Sequence, residues 1–168
     1  VEKLRKENEE LRKNQSTTIN NNNITNNFII TLPFSQTNHE FLTDKDYVKC
    51  INRMIMSVPN LIKSIHFNPQ HPENHNIYIN NIQNKMAMVY DGKKWNLKNQ
   101  DQTITELLND HEYLLEEWLE NGEDRYPKEM KKFKEYVSKK SEDGVEGKIK
   151  EEIKLHSHSK KEDKSVVT

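Results

Sequence analysis

The chain of 168 residues carries 26 Lys and Arg against 27 Asp and Glu, a formal net charge of −1. Leu, Ile, Val and Phe supply 39 residues, enough for one small core and too few for several. No apolar run approaches the ~20 residues of a bilayer span, no charged-then-apolar leader opens the sequence, and the lone Cys50 excludes both an intramolecular disulfide and a cysteine-based zinc finger. The expected setting is intracellular and reducing, without membrane contact. Asn, Lys and Ile together make up 57 residues and Lys outnumbers Arg 22 to 4, the signature of A/T-rich coding. Much of the Asn and Lys therefore carries no functional message. The chain opens at Val1 inside an ongoing pattern, which is expected of a piece of a longer protein.

Residues 1–14 read as the end of a short parallel coiled coil. Val1 and Asn8 fall at a, Leu4 and Leu11 at d, with charges between them. Such a seam buries itself only against another copy, and an Asn at a favours two strands. The expected partner is the chain itself, as a dimer or, since two heptads are short, a trimer. From Ser16 to Asn27 only Ser, Thr, Ile and Asn occur, a connector composition. Ile30 and Leu32 then alternate with Thr31, predicting a strand over ~27–32 that Pro33 ends. Residues 15–35 are thus an Asn-rich connector with one strand.

The remainder, 36–155, reads as an α+β domain. Thr43 and Asp46 form a capping-box variant opening a helix over 43–58, with Tyr47, Val48, Ile51, Met54, Ile55 and Val58 on one stripe and Cys50 beside it. Ser57-Val58-Pro59-Asn60 is expected to interrupt that helix, and Leu61, Ile62, Ile65 and Phe67 mark a second, short one. Residues 68–76 form a loop. Strands follow at 77–79, 85–90 and 93–97, the last two joined at Asp91-Gly92, where Gly accepts a positive φ. That is a three-stranded meander, which needs amphipathic helices on one face. Thr103 and Glu106 spell a capping box for a helix over 103–121, with Ile104, Leu107, Leu108, His111, Leu115, Trp118 and Leu119 inward and Asn121-Gly122 as the stop. A helix over 127–140 turns Met130, Phe133 and Val137 inward. A last helix places Val145, Ile149 and Ile153 inward, and residues 156–168 read as a disordered tail.

Three groups of residues are candidates for function. His66, His71, Glu73 and His75 are the densest set of potential metal ligands, joined by Asn68 and Asn74 in a loop that reads first as structural and second as a partner contact. The spacing H-x4-H-x3-H matches no ligand pattern, so no metal is assigned. Lys85, Lys93 and Lys94, with Trp95, Tyr90 and Lys98, make a basic-aromatic hairpin fit to touch a nucleic-acid backbone. Val1, Leu4, Asn8 and Leu11 are the oligomerisation residues. With glycines only at 92, 122, 144 and 147, no phosphate loop, dinucleotide fingerprint or nucleophile elbow can be written. No cofactor and no catalytic residue is assigned.

The stretches Ser57–Ile62, Ile65–Asn68, Pro72-Glu73-Asn74-His75-Asn76-Ile77 and Met86–Trp95 together resemble a family of giant DNA virus proteins, mimivirus-like and iridovirus-like. In that family a C2H2 zinc finger and a coiled coil often precede an Asn-rich stretch and this domain. The resemblance covers roughly residues 1–120 and attaches no catalytic role to them. It implies that nucleic acid would be contacted through a part missing from this chain. Together these readings predict a non-catalytic oligomerisation and interaction module of a viral protein, placed in the infected cell or the virion. The alternatives are a structural or virion-assembly component with an Asn-rich stalk, and a metal-dependent nuclease or hydrolase built on His66, His71, Glu73 and His75.

Overall fold

In the computed structural model, residues 30–158 are described. The coiled-coil seam Val1, Leu4, Asn8 and Leu11 and most of the Asn-rich connector lie outside the described residues. The described part is a mixed helix and sheet unit, with a three-stranded antiparallel sheet whose strands neighbour one another in chain order and five α-helices among the described residues. This agrees with the α+β class.

The first difference from the sequence reading is the arm. Thr31 and Leu32 form no strand: the Leu32 N–H donates to the Glu73 carbonyl at 2.8 Å, a single loop contact. A short helical turn at Phe34–Gln36 follows, and Asn38 is held by Asn74.

Helix α1 spans Asp44–Ile51 and carries the expected capping box, in which Thr43 and Asp46 satisfy each other's backbone N–H. It stops seven residues early. Met54 adopts φ 56, a helical turn covers Met54–Met56, and α2 runs Ser57–His66. Ser57–Asn60 therefore starts a helix instead of breaking one. The reason is Pro59. Inside one continuous helix its ring would clash and leave a carbonyl unpaired, whereas as the third residue of α2 it lacks only an N–H that has no partner there anyway. The single apolar stripe is thereby divided. Tyr47, Cys50 and Ile51 of α1 and Val58, Leu61, Ile62 and Ile65 of α2 all enter one core.

The meander forms as β1 (Ile77–Tyr78), β2 (Met86–Tyr90) and β3 (Trp95–Asn99). Tyr90 pairs with Trp95, so the connection is a four-residue turn and Lys93 and Lys94 lie in it rather than in the strand. The Asp91 carboxylate accepts the N–H groups of Lys93 and Lys94 at 2.8 and 2.9 Å and the Asn96 amide at 2.9 Å. These donors hold its pKa down to about 2. Gly92 has φ 101, and a Cβ there would lie 3.0 Å from Pro33 Cγ, so both backbone and space select glycine.

Helix α3 covers Gln100–Asn121, three residues longer at its start than Thr103-Glu106 implied. Asn99 is the cap and accepts from Gln102 N–H, while Thr103 Oγ1 donates back to the Asn99 carbonyl. Ile104, Leu107, Leu108, Leu115 and Leu119 are fully buried as expected. Trp118 is not: it is half-buried, stacked between Tyr47 and Tyr126. Gly122 ends the helix in a right-handed conformation, and Glu123, not glycine, takes φ 52. Gly122 is needed instead for closeness, since a Cβ would stand 2.7 Å from the Tyr126 ring.

Helix α4 is Pro127–Lys140, with Phe133 and Tyr136 buried; Val137, expected inward, is 42% exposed. Helix α5 is Val145–His158, three residues beyond the expected end at 155. Ser157 is buried there because its hydroxyl bonds the Ile153 carbonyl and its own carbonyl accepts the Ile79 N–H. Residues 156–158 thus close the core beneath β1. Lys140 of α4 and Glu112 of α3 form a well-covered ion pair at 2.7 Å. Among the described residues no helix is long and apolar enough to cross a membrane.

Candidate functional site

The His-rich loop comes first because the sequence singled it out. Its members do not converge. His66, the last residue of α2, is buried and its Nδ1 sits 3.0 Å from Asn76 Oδ1 and 3.3 Å from the Asn74 carbonyl. His71 Nδ1 bonds Glu73 at 3.0 Å and its ring stacks on Phe41 at 3.5 Å. His75 Nε2 donates to the Asn68 carbonyl at 2.9 Å. Asn68 in turn donates to Ser64 and accepts from Gln70. Among the described residues no three His, Cys, Asp or Glu side chains are placed to hold a metal ion.

What the loop does is fasten the arm. The Asn74 side chain bonds both backbone groups of Asn38, and the Asn76 amide donates to Thr37 Oγ1. Both asparagines are fully buried, so their amides must find such partners. The Pro-Glu-Asn-His-Asn stretch is therefore a structural clamp between residues 31–38 and α2. Cys50 is likewise inert. Burial pushes its thiol up to about 11, where little thiolate exists at neutral pH.

The basic-aromatic hairpin is brought together in part: its rings share a face, and its lysines do not all do so. Residues paired across an antiparallel ladder share a face. The register Tyr78↔Met88↔Leu97, with Met86↔Asn99 and Tyr90↔Trp95, puts Tyr78, Met86, Met88, Tyr90, Trp95 and Leu97 on one side. Ile77 and Ala87 point the other way, into the core, and are 1% exposed. The apolar side chains of the first set thus form the outer face. Leu97 is 64% exposed there, and Trp95 meets Tyr78 edge-on at 4.9 Å and Tyr90 at 5.3 Å. Lys93 and Lys94 stand exposed in the adjoining turn, whereas Lys85, also exposed, precedes β2 at the end of the strand away from that turn. Lys98 pairs with Ala87 and so belongs to the opposite side. The sequence contained the signal for this face: alternation through 86–90 continues across the Asp91-Gly92 turn once the register is known.

A second surface was not foreseen. A groove of about 360 Å³ opens beside the arm and α3, lined by Phe34, His39, His66, Asp110, His111 and Tyr113 among others. Its members come from three separate stretches of chain, 34–39, 65–66 and 110–117, so no local motif announces it. His111 Nδ1 donates to the Leu107 carbonyl at 2.8 Å. Burial holds both imidazoles below their ordinary value, His66 at about 4 and His111 at about 3, so both are neutral at pH 7.

Comparison with protein-family models, with curated proteins and with solved structures returned no match.

Proposed function

We propose that the chain is a non-catalytic oligomerisation and interaction module that meets single-stranded nucleic acid on the outer face of its sheet. The supporting observation is the juxtaposition of the Tyr78, Tyr90 and Trp95 rings with the exposed Lys93 and Lys94 of the adjoining turn. Aromatic rings beside lysines are the combination that single strands use, bases stacking on the rings and phosphates drawn to the cations. The acidic side of the molecule is elsewhere. Nine acids and no Lys or Arg fall in residues 101–124, against eight basic residues and four acids in 43–100. A strand of nucleic acid would be drawn to the sheet and repelled from α3.

Self-assembly through Val1, Leu4, Asn8 and Leu11 belongs to the same proposal, as does the viral setting, and both are supported by sequence alone. A parallel dimer would double the sheet faces available to one strand and raise affinity through effective concentration. Sedimentation of the chain with and without residues 1–14 tests the assembly: loss of a dimer on deletion supports it, and a monomer in both excludes it.

The test of the sheet face is fluorescence anisotropy of a labelled single-stranded oligonucleotide. Trp95→Ala should weaken binding roughly tenfold, the loss of one stacked base at ~1–3 kcal/mol. Two lysine–phosphate contacts predict a log–log salt slope of about −1.4, reduced by Lys93→Glu with Lys94→Glu. Binding unaffected by either change would remove the proposal.

A further inference from the structure

The groove beside α3 has mostly apolar walls, carries no Lys or Arg, and holds His66, His111, Asp110 and Glu117 among its lining. His66 commits its Nδ1 proton to Asn76 Oδ1 and the Asn74 carbonyl, and His111 commits its own to the Leu107 carbonyl. All three partners are oxygens that accept, so the proton of each neutral ring is fixed on Nδ1 and each Nε2 is left as a lone pair. Neither Nε2 has a hydrogen-bond partner among the described residues. The Tyr136 hydroxyl is the one buried side-chain polar atom without a partner among those residues. The two Nε2 atoms are therefore not wholly sealed in protein, and both residues line the groove, although they are only 1% and 7% exposed. Two nine-tenths-buried acceptors in the lining of an open groove call for a ligand that donates.

Charge narrows the class. Asp110 and Glu117 supply negative charge from α3, at the same groove. Burial raises the Asp110 carboxyl above its ordinary value, a cost that a bound cation would relieve. The neutral imidazoles add no opposing charge. Shape narrows it further, since Phe34 and the 65%-exposed Tyr113 give the groove aromatic walls. A planar cation with several donors suits aromatic faces and dispersed acceptors better than a compact ammonium does.

We propose that this groove takes the guanidinium of an arginine presented on an extended segment of a partner protein, with His66 and His111 Nε2 as acceptors and Asp110 and Glu117 as counter-charges. The site is distinct from the outer sheet face and does not depend on nucleic-acid binding.

The test is a titration of the full chain, followed by long-range ¹H–¹⁵N spectra of the histidine rings. The probes are a blocked hexapeptide of Gly and Ser with one central Arg, and matched Lys and citrulline peptides. The Arg peptide should shift the Nε2 resonances of His66 and His111 saturably. The Lys peptide should bind more weakly and the uncharged citrulline peptide should not bind. Glu117→Gln, at an exposed position that leaves the fold intact, should weaken the Arg peptide about threefold. Equal binding of citrulline and Arg, an unchanged Glu117→Gln affinity, or Nε2 shifts produced by zinc chloride and not by the peptide would each overturn the assignment. Free N-acetyl-arginine amide binding as tightly as the peptide would overturn the protein partner and leave a small-molecule site.

Discussion

The imidazoles of His66 and His111 lie 5.1 Å apart, centroid to centroid, where α2 meets α3. Burial is the larger effect on both; beyond it, His66 and His39 lower the tendency of His111 to take a proton, and His75 acts in the same direction on His66. The consequence is a stability that depends on pH. Unfolded, both rings would gain protons near pH 6.5; folded, they resist until about 4 and about 3. The unfolded chain therefore binds more protons throughout that interval. Stability is complete above pH 6.5 and is lost as pH falls toward 4. Two such groups give a slope of up to about 3 kcal/mol per pH unit. Urea unfolding at pH 7.5, 6 and 5 measures this, and a His111→Gln variant should show about half the slope. Equal stability at pH 7.5 and 5 would contradict it. Asp44 and Asp91, held below the ordinary carboxylate value by hydrogen bonds, act in a lower window, below pH 4.

Trp118 bridges α3 to the start of α1. Its ring stacks on Tyr47 at 5.1 Å and Tyr126 at 4.4 Å, and its Nε1 donates to Asp44 at 2.9 Å. Because the ring is only half-buried, Trp118→Ala should cost about 2 kcal/mol, less than the ~3–5 kcal/mol of a fully buried tryptophan. Trp118→Phe keeps a stacked ring and should cost about half as much. It should also raise the Asp44 pKa, whose largest depressing influence is that indole N–H. Chemical denaturation and NMR titration of Asp44 check both. An unchanged Asp44 pKa would mean the bond is not formed.

Tyr136 presents the opposite case. Its ring belongs to the core against Phe133, yet its hydroxyl is buried and has no partner among the described residues. Burial and the nearby Glu112 and Glu146 raise its pKa. Tyr136→Phe removes the orphan hydroxyl and keeps the ring, so stability should be unchanged or higher, by up to about 2 kcal/mol. A loss above ~1 kcal/mol on denaturation would reveal a partner for the hydroxyl.

Gly122 separates two opposing effects. Helix propensity alone predicts that Gly122→Ala stabilises by up to ~1 kcal/mol, because the position is right-handed. The Tyr126 ring, 2.7 Å from the new Cβ, predicts the reverse. The structure favours a loss of about 1–3 kcal/mol, cancelled in the double variant Gly122→Ala with Tyr126→Ala. Thermal melts of the four proteins of that cycle decide between them.

What the sequence made legible was local and periodic. The Thr43–Asp46 box, the inward leucines of α3, Pro127 at the start of α4 and Ile149 and Ile153 of α5 each follow from spacing within one element. Boundaries failed where tertiary packing decided them. Pro59 reads as a breaker until the chain reverses at Met54 and makes it a helix start. Ser157 reads as tail until its backbone meets Ile79. The His-rich loop is dense in sequence but not in space, because its imidazoles turn to three different oxygen partners. The groove was invisible for the converse reason, since His39, His66 and His111 approach one another only after the Asn74–Asn76 clamp folds the arm back onto α2.

The most direct measurement is a map of backbone amide shifts on adding a single-stranded oligonucleotide to the full chain. The expected result is saturable change at Tyr78, Met86–Tyr90 and Asp91–Leu97, with α3 from Asp101 to Glu120 undisturbed. Shifts confined to other elements, or none at oligonucleotide concentrations that bind similar aromatic-basic faces (about 10⁻⁴ M or tighter), would contradict the role assigned to the outer face of the sheet.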